Sequence, residues 1–302
     1  MGKLKIAHSP IYAHPLPEGY RFPMLKYELI PEQLMYEGSI QSNHLFAPSI
    51  CSAEDILLTH EVDYYQRLIH QQLSPSEQRV IGFPQSPALI QRERIITQGT
   101  IDCALFALEN GCAMNVAGGT HHAFADRGEG FCILNDMAVA SKCLMERKLV
   151  NKILIIDLDV HQGNGTAKIM ENVPEVFTFS VHGKNNYPFR KEQSDLDIGL
   201  DDGTMGKAYL SMLHSVLPEL VEQVEPDFVF YLSGVDVLAT DKLGKFQLSL
   251  EECRQRDKFV LDLVHKNKIP VAIALGGGYS PDIKDIVEAH CNTFRLALDL
   301  YD

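Results

Sequence analysis

Long apolar runs are absent from this chain of 302 residues. No stretch reaches the roughly 18 consecutive apolar residues that a membrane span requires. The first residues, Met1 to Ile6, lack the apolar core of a secretory signal. Low-complexity tracts, internal repeats and long charged linkers are also missing, so no domain boundary is marked. We therefore expect a cytoplasmic protein with no membrane partner, folded as a single domain over residues 1–302.

Basic residues are in the minority. The chain has 27 Lys and Arg against 40 Asp and Glu, which gives a formal net charge of −13. Because a protein that binds phosphates needs a basic face, we expect no nucleic-acid partner. A short basic peptide is still permitted as a substrate, since an acidic rim would attract one. The apolar fraction of 45% is typical of a folded globular chain and argues against disorder.

The cysteines show no disulfide or metal-binding framework. There are seven, an odd number, and no pair has C-x-x-C spacing. Most lie in apolar stretches, which predicts reduced, buried thiols in a cytosolic protein. Cys132 lies near histidines in the sequence, so a nucleophilic thiol is an alternative there. A buried, inert thiol is the commoner state and is the interpretation we prefer.

The second half of the chain alternates between two kinds of segment. Apolar runs rich in Val and Ile predict buried strands at 152–157, 176–181, 228–232 and 270–275. Amphipathic stretches predict helices near 135–149, 206–224, 249–267 and 281–300. Residues 1–110 are more irregular, apart from a helix near 89–110. The alternation predicts an α/β protein with an open, mostly parallel sheet covered by helices on both faces, and ligands at the carboxyl ends of its strands.

Polar residues follow the first of these strands at every second position. Asp157, Asp159 and His161 alternate with two apolar residues, so all three share one face of an extended segment. Burying two neighbouring carboxylates is costly unless a cation compensates them. A solvated strand end with a capping Asp is the alternative. The strongly apolar strand and the Gly163-Asn164-Gly165 turn that follows favour the cation site.

An acidic residue also follows the strand predicted at 228–232. Asp236 ends the sequence Ser-Gly-Val-Asp, and capping of a following helix is its simplest role. With Asp159 and His161, however, it completes a three-ligand site that leaves a position open for water. That pattern is typical of catalytic zinc. Two carboxylates make the ligand set harder than an all-imidazole one, so Fe²⁺ and Co²⁺ are alternatives.

Two glycine-rich loops add further candidate groups. Gly118 and Gly119 precede His121 and His122. Three interpretations of these histidines are open: they lie on the surface, they bind a metal, or they carry protons at neutral pH. The loop 276–278 precedes Tyr279. Its glycines, Gly277 among them, allow close backbone approach to a substrate and an inward phenol that stabilises an oxyanion. A phosphate loop is disfavoured, because neither G-x-G-x-x-G nor a following Lys-Ser/Thr is present.

Two more segments are candidates for contact with a substrate. Gly130 and Phe131 are suited to one wall of a narrow apolar tunnel, although a plain loop before a helix capped by Asn135 is equally compatible. The segment 183–190, which contains Tyr187, is basic and aromatic and is expected on the rim. A polyamine enzyme would instead carry extra carboxylates there, so this segment favours a peptide or acyl ligand.

Together these motifs resemble the histone deacetylase family, including its bacterial acetoin-utilisation and acetylpolyamine amidohydrolase relatives. The motifs, in the family's order, are G-G-T-H-H-A, G-F-C-x-x-N-D, D-L-D-V-H-Q-G-N-G-T, S-G-V-D and G-G-G-Y. The resemblance covers nearly the whole chain, and the Q-G-N-G variant is similar to the class IV type. It implies an arginase/deacetylase fold and a zinc-dependent hydrolase that removes acyl groups from lysine side chains.

The resemblance also assigns cations. It implies that Asp159, His161 and Asp236 hold the zinc. A structural potassium ion beneath the zinc is also implied, and its ligands would be Asp157, Ser180 and the backbone of Asp159, His161 and Val181.

The catalytic assignments follow from the same resemblance. His121 would bond to Asp157, His122 would act as general base and then general acid, and Tyr279 would stabilise the oxyanion. Many members have Asp where this chain has Asn164. Asn164 orients His122 but supplies no negative charge, so the pKa of His122 should be lower than it would be beside an aspartate.

For the substrate, the resemblance implies that Gly130 and Phe131 line an acyl-lysine tunnel and that Leu243 lies at its rim. Arg21 resembles the arginine beside the internal channel through which acetate leaves. An acylated lysine peptide or protein is the expected partner. Small N-acyl amines such as acetylpolyamines, long fatty-acyl lysines and a non-catalytic binding module are the alternatives. An arginase-type ureohydrolase is disfavoured, because Asp236 has no second carboxylate in a D-x-D pair.

Overall fold

A computed structural model describes residues 4–17 and 19–302 and contains one eight-stranded sheet. Its strands are β1 Lys5–Ala7, β2 Leu45–Phe46, β3 Cys112–Asn115, β4 Ile153–Asp157, β5 Val176–Gly183, β6 Leu196–Leu200, β7 Phe228–Ser233 and β8 Val271–Leu275. Their order across the sheet is β2-β1-β3-β8-β7-β4-β5-β6, and every neighbouring pair is parallel. The predicted parallel α/β architecture is confirmed.

Helices flank this sheet in two packed groups. They are α1 Lys26–Tyr36, α2 Ala53–Leu57, α3 Val62–Ile69, α4 Pro75–Ile81, α5 Pro87–Asn110, α6 Asp136–Glu146, α7 Asn164–Met170, α8 Gly206–Val224, α9 Leu250–Lys266 and α10 Ile283–Tyr301, with a 3-10 turn at Pro10–Tyr12. One group packs α5 on α6 and α6 on α7; the other runs α1, α10, α9, α8. In the described ranges, no helix is both long and apolar enough to cross a bilayer.

The four strands predicted from apolar runs all form. Every residue of β4, β7 and β8 is buried, as expected for central strands of a parallel sheet with both faces covered. The helices predicted in the second half also form, with ends that differ by a few residues. The region described as irregular contains more structure than expected, namely α1 to α4 and two short strands, β1 and β2, of three and two residues.

The order of the strands decides where the site lies. β3, β8, β7 and β4 are consecutive in the sheet, and each is followed by one of the polar segments found in the sequence. Carboxyl ends of parallel strands lie along one edge of a sheet. The segments 117–122 and 276–279 therefore meet at one edge, although they are more than 150 residues apart in sequence. The segment 157–161 and residue 236 lie at the same edge.

The cysteines are buried and reduced. All seven are free thiols with buried side chains, as the sequence predicts. Burial raises the pKa of the Cys132 thiol well above its usual value. A protonated, buried thiol is a poor nucleophile, so the structure supports the inert role for Cys132.

Candidate functional site

Three predicted ligands converge at the carboxyl edge of the sheet. Asp159, His161 and Asp236 are buried, and one candidate ligand atom from each lies within 4.8 Å of the other two. His161 Nδ1 is 3.0 Å from Asp159 Oδ1 and 3.1 Å from Asp236 Oδ2. Asp236 is fully buried, and β7 is not followed by a helix until α9 begins at Leu250. The helix-capping role considered for Asp236 is therefore wrong.

The donor chemistry of this cluster fits a divalent cation. A single ring nitrogen carries at most one hydrogen, so His161 Nδ1 cannot make a full hydrogen bond to both carboxylates at once. Burial, together with the charge of Asp159, raises the pKa of Asp236 to about 7. Two buried carboxylates repel each other when both are ionised, and a cation between them stabilises the ionised pair. One imidazole nitrogen and two carboxylates suit Zn²⁺, Fe²⁺ or Co²⁺.

Backbone N–H groups hold the ligand carboxylates in place. Val160 donates to Asp236 Oδ1 at 2.9 Å, and Gly277 donates to Asp159 Oδ2 at 2.7 Å. A Cβ atom at position 277 would lie 2.1 Å from Asp236 Oδ2. Only glycine therefore allows this backbone to approach both carboxylates, so Gly277 supports the candidate ligands, and it also lines a small interior cavity beside them.

The two histidines after β3 have different partners. His121 Nδ1 donates to Asp157 Oδ2 at 2.7 Å, whereas His122 Nδ1 donates to Asn164 Oδ1 at 2.6 Å. Both imidazoles are buried, and their ring centroids are 4.1 Å apart. The alternative of two surface histidines is wrong. Neither histidine belongs to the buried ligand cluster found within the described residues.

Their pKa values are displaced in opposite directions. Burial lowers the pKa of His122 well below its ordinary value, and the neighbouring His121 and His161 lower it further. Burial also acts on His121, but the carboxylates of Asp157 and Asp159 outweigh it and raise its pKa. Neighbouring groups displaced in this way take different proton-transfer roles. His122 is the neutral imidazole, and its Nε2 is free to accept a proton.

Glu129 is bonded to Asn164, the partner of His122. Asn164 Nδ2 donates to Glu129 Oε1 at 3.1 Å, and the Tyr187 hydroxyl donates to the same oxygen. Arg127 Nε lies 3.6 Å from the other carboxylate oxygen. Asn164 thus joins His122 to a carboxylate that sequence analysis missed. No local signal in the Gly128-Glu129-Gly130 segment distinguishes this glutamate from a surface residue.

Asp136 holds the loop that carries the two histidines. Its carboxylate accepts from the backbone N–H groups of Gly119 at 3.1 Å and Thr120 at 2.8 Å. One of the two alternatives that the sequence left open for this segment has Asn135 as the cap of the next helix. The side chain of Asn135 does accept from Ala138 N at 3.1 Å, so that prediction is confirmed. The role of Asp136 was missed, because these backbone partners lie 17 and 16 residues before it, in a separate loop.

Tyr279 is positioned through its backbone. Its N–H donates to Asp241 Oδ2 at 2.5 Å, while Asp241 Oδ1 accepts from the N–H groups of Leu243 and Gly244. Asp241 therefore ties the loop after β8 to the segment that carries Leu243. Burial, together with Asp159 and Asp236, raises the pKa of Tyr279 well above its usual value. The phenol stays protonated and can donate a hydrogen bond.

An open cavity of about 1120 Å³ leads to these groups. Residues lining it include His122, Gly130, Phe131, His161, Tyr187, Leu243 and Tyr279. It is wider than the narrow tunnel expected, because its lining extends to exposed residues of α4 and of the loop 185–189. A Cβ atom at position 130 would lie 2.7 Å from His122 Cδ2, so this wall requires glycine.

The expected position of Arg21 beside an internal channel is wrong. Arg21 is exposed and lines the outer cavity, because Phe22 next to it packs inward, with its ring centroid 5.3 Å from that of Phe131. A buried cation, Lys26, lies near the candidate metal ligands and donates to Gly276 O at 2.8 Å. Burial lowers the pKa of Lys26 to about 8. A second buried cation, Arg92, lines a small interior cavity of about 50 Å³.

The residues expected to hold potassium lie on neighbouring strands. Asp157, at the end of β4, is the register partner of Ser180 in β5, and Val181 follows directly. Asp157 Oδ1 accepts from Asp159 N at 3.1 Å, and Ser180 Oγ is 3.0 Å from His182 Nδ1. This places the expected oxygen donors close together, and a potassium ion there stays a prediction.

Comparison with known proteins identifies relatives of this chain. Residues 21–294 match the histone deacetylase domain family. An uncharacterized protein of Picosynechococcus is 44% identical over 296 residues, covering 98% of this chain and 99% of that protein. The acetoin utilization protein AcuC of Staphylococcus xylosus is 27% identical and covers 92% and 79% of the two chains. The crystal structure of a histone deacetylase homologue from Aquifex aeolicus has the same fold, with a TM-score of 0.82 at 24% identity over 99% and 84% of the chains.

Proposed function

We propose, because this chain belongs to the histone deacetylase family, that it is a zinc-dependent amide hydrolase acting on acylated lysine side chains. The observation that carries this proposal is the convergence of Asp159, His161 and Asp236 beside a cavity that also exposes His122 and Tyr279. These five residues supply a metal site, a proton acceptor and an oxyanion donor within one pocket.

Asp159, His161 and Asp236 would hold the divalent ion. When bound, such an ion polarises an amide carbonyl and lowers the pKa of a coordinated water to roughly 7. His122 is placed to take the proton of the attacking water, because its Nδ1–H is bonded to Asn164 and its Nε2 is therefore the accepting nitrogen. Its low pKa keeps it neutral, as a general base must be at neutral pH.

Tyr279 then stabilises the negative charge that develops on the substrate oxygen. Its phenol is protonated, and Asp241 fixes the backbone from which it extends. His122 returns its proton to the departing amine. His121 stays protonated beside Asp157, so it does not compete with His122 for the proton of the attacking water. Its N–H groups instead orient the side chains next to it.

A series of acyl substrates tests this proposal. Lysine peptides that carry acetyl, trifluoroacetyl or myristoyl groups, together with an acetylpolyamine, are incubated with zinc-reconstituted protein, with and without a hydroxamate. We expect hydrolysis of at least one acyl-lysine peptide and its inhibition by the hydroxamate. Hydrolysis of the polyamine alone would assign a small-amine substrate. Metal-loaded protein that hydrolyses none of them would contradict the proposal and favour a binding module.

Exchanging Asn164 for aspartate should change how activity depends on pH. A negative charge beside His122 Nδ1 raises the pKa of His122 by one unit or more. The base works only when neutral, so a higher pKa means that activity appears at a higher pH. We therefore expect the acidic limb of kcat/KM in Asn164→Asp to move upward by about one pH unit.

The contact with Glu129 provides a control for this experiment. Asn164 Nδ2 bonds Glu129 Oε1, so the aspartate of the single variant would face a second carboxylate. The double variant Asn164→Asp/Glu129→Gln removes this repulsion and should recover turnover relative to the single variant. An unmoved acidic limb in both variants, with metal still bound, would show that His122 is not the base that limits activity at low pH.

A further inference from the structure

The mouth of the cavity is basic although the chain is acidic overall. Arg21, Arg79 and Lys245 line the cavity, and none of its lining residues within the described ranges is acidic. These three side chains come from separate segments, one before α1, one in α4 and one after β7. Because the chain has a net charge of −13, its composition does not explain a local excess of positive charge supplied by three segments to one cavity.

Most of this positive charge is not neutralised inside the protein. Arg21 and Arg79 are exposed and form no ion pair with residues 4–17 or 19–302, and Lys245 is paired with Asp202 at 3.2 Å. Exposed Arg190 and Lys242, next to the lining residues Phe189 and Leu243, are also without an acidic partner in that part of the chain. Such guanidinium and ammonium groups are available to a ligand.

An acidic residue next in sequence to the cavity lining is already committed to other contacts. Glu129 precedes the lining residue Gly130, but its carboxylate already accepts from Tyr187 and Asn164, and its side chain is only 16% exposed. It therefore supplies little attraction for a cationic ligand at the opening. The expectation that an acidic rim would attract a basic peptide does not hold for the lining of this cavity.

The size and lining of the cavity suit a peptide. The volume of the cavity, about 1120 Å³, exceeds the roughly 300–1,000 Å³ of ordinary small-molecule sites. Two of the lining side chains are apolar and exposed, Phe189 at 92% and Val80 at 53%. Exposed aromatic and aliphatic groups next to arginines are typical of surfaces that bind polypeptides.

We propose, on the basis of the proposed function, that the mouth selects acyl-lysines flanked by acidic residues in a protein or peptide. Guanidinium groups bind carboxylates through paired, charge-assisted hydrogen bonds, and opposite charges increase the rate of encounter. Lysines and arginines next to the acyl-lysine meet Arg21, Arg79 and Lys245 and are repelled. The same repulsion disfavours the cationic chain of an acetylpolyamine.

Three matched peptides test this selectivity. Each has the same length and a central acetyl-lysine, flanked by Asp and Glu, by Ser and Gln, or by Lys and Arg. We expect kcat/KM to fall in that order, with a difference of about tenfold or more between the first and last peptides at low ionic strength. The difference should shrink as salt is added, because the charges involved are exposed. Fluorescence anisotropy should give the same order for binding.

Charge reversal identifies the residues responsible. In Arg21→Glu/Arg79→Glu, the ratio of kcat/KM for the acidic peptide to that for the basic peptide should fall by about tenfold or more. Lys266→Glu/Lys268→Glu is the charge-matched control, since these exposed residues lie between the end of α9 and the start of β8, at the opposite edge of the sheet. That variant should keep the wild-type ratio.

The possible failures are distinguishable. Equal turnover and binding of all three peptides, or a preference for the basic one, would overturn this inference and leave the proposed function intact. Acidic-peptide binding without hydrolysis would support the selectivity and count against the proposed function. A change of the same size in Lys266→Glu/Lys268→Glu would show that overall charge, and not the mouth, determines the preference.

Discussion

Replacing Tyr279 with phenylalanine should lower kcat by about 10²–10³-fold, the usual cost of losing one oxyanion donor. Burial and the carboxylates of Asp159 and Asp236 raise the pKa of this phenol, so it is a hydrogen-bond donor at neutral pH. Phenylalanine keeps the ring and its packing near Phe131 and Phe22, whose centroids are each 6.2 Å away, and removes only the hydroxyl.

The measurement is turnover of an acetyl-lysine peptide, with metal content determined on the same sample. Tyr187→Phe is the matched control, because its hydroxyl also lies beside the cavity but is bonded to Glu129. We expect its turnover to fall much less than that of Tyr279→Phe. Wild-type turnover in Tyr279→Phe would remove Tyr279 from the mechanism.

Replacing Asp236 with asparagine should abolish tight metal binding and, with it, turnover. The substitution removes one of two anionic ligands, and the remaining Asp159 and His161 are too few for a catalytic site. Asparagine is preferable to alanine because its amide oxygen can still accept the N–H of Val160, which Asp236 Oδ1 accepts at 2.9 Å. The fold should therefore survive the change, and circular dichroism checks this.

Elemental analysis of the purified variant decides the ligand assignment. Asp241→Asn is the control, since Asp241 accepts only backbone N–H groups in the described structure and lies outside the ligand cluster. It should retain its metal, although a displaced Tyr279 would slow turnover. One equivalent of tightly held zinc in Asp236→Asn would refute the assignment.

The parts of the fold that the sequence predicts well are those with the strongest patterns. β4, β7 and β8 are buried on both faces, so their apolar runs are continuous and unambiguous. Asp159 and His161 stand out because polar residues interrupt such a run at alternate positions. Asp236 is predicted as a ligand only together with Asp159 and His161, since parallel strands place their carboxyl ends along one edge of the sheet.

The residues that sequence analysis missed act through contacts distant in sequence. Lys26 bonds Gly276, 250 positions away, and so lies near the candidate metal ligands, and Glu129 reaches His122 through Asn164. Neither contact leaves a local pattern. The prediction for Arg21 failed for the opposite reason, because a local motif was present. That motif does not determine which of two neighbouring side chains, Arg21 or Phe22, packs inward.

The charge of the whole chain was also a poor guide to the charge of the mouth. Composition gives the sum, −13, but not where the charges lie. Arg21, Arg79 and Lys245 are scattered over more than 220 residues and meet only because their segments surround one cavity. The basic loop 183–190 was the single local signal of this surface, and Tyr187 and Phe189 of that loop do line the cavity.

The most direct test of the account is a zinc titration of metal-free protein with turnover of an acetyl-lysine peptide followed in parallel. We expect turnover to start near zero, rise in proportion to bound zinc and stop rising at one ion per chain. Full turnover without metal, or a filled site with no turnover above that of the metal-free protein, would contradict it.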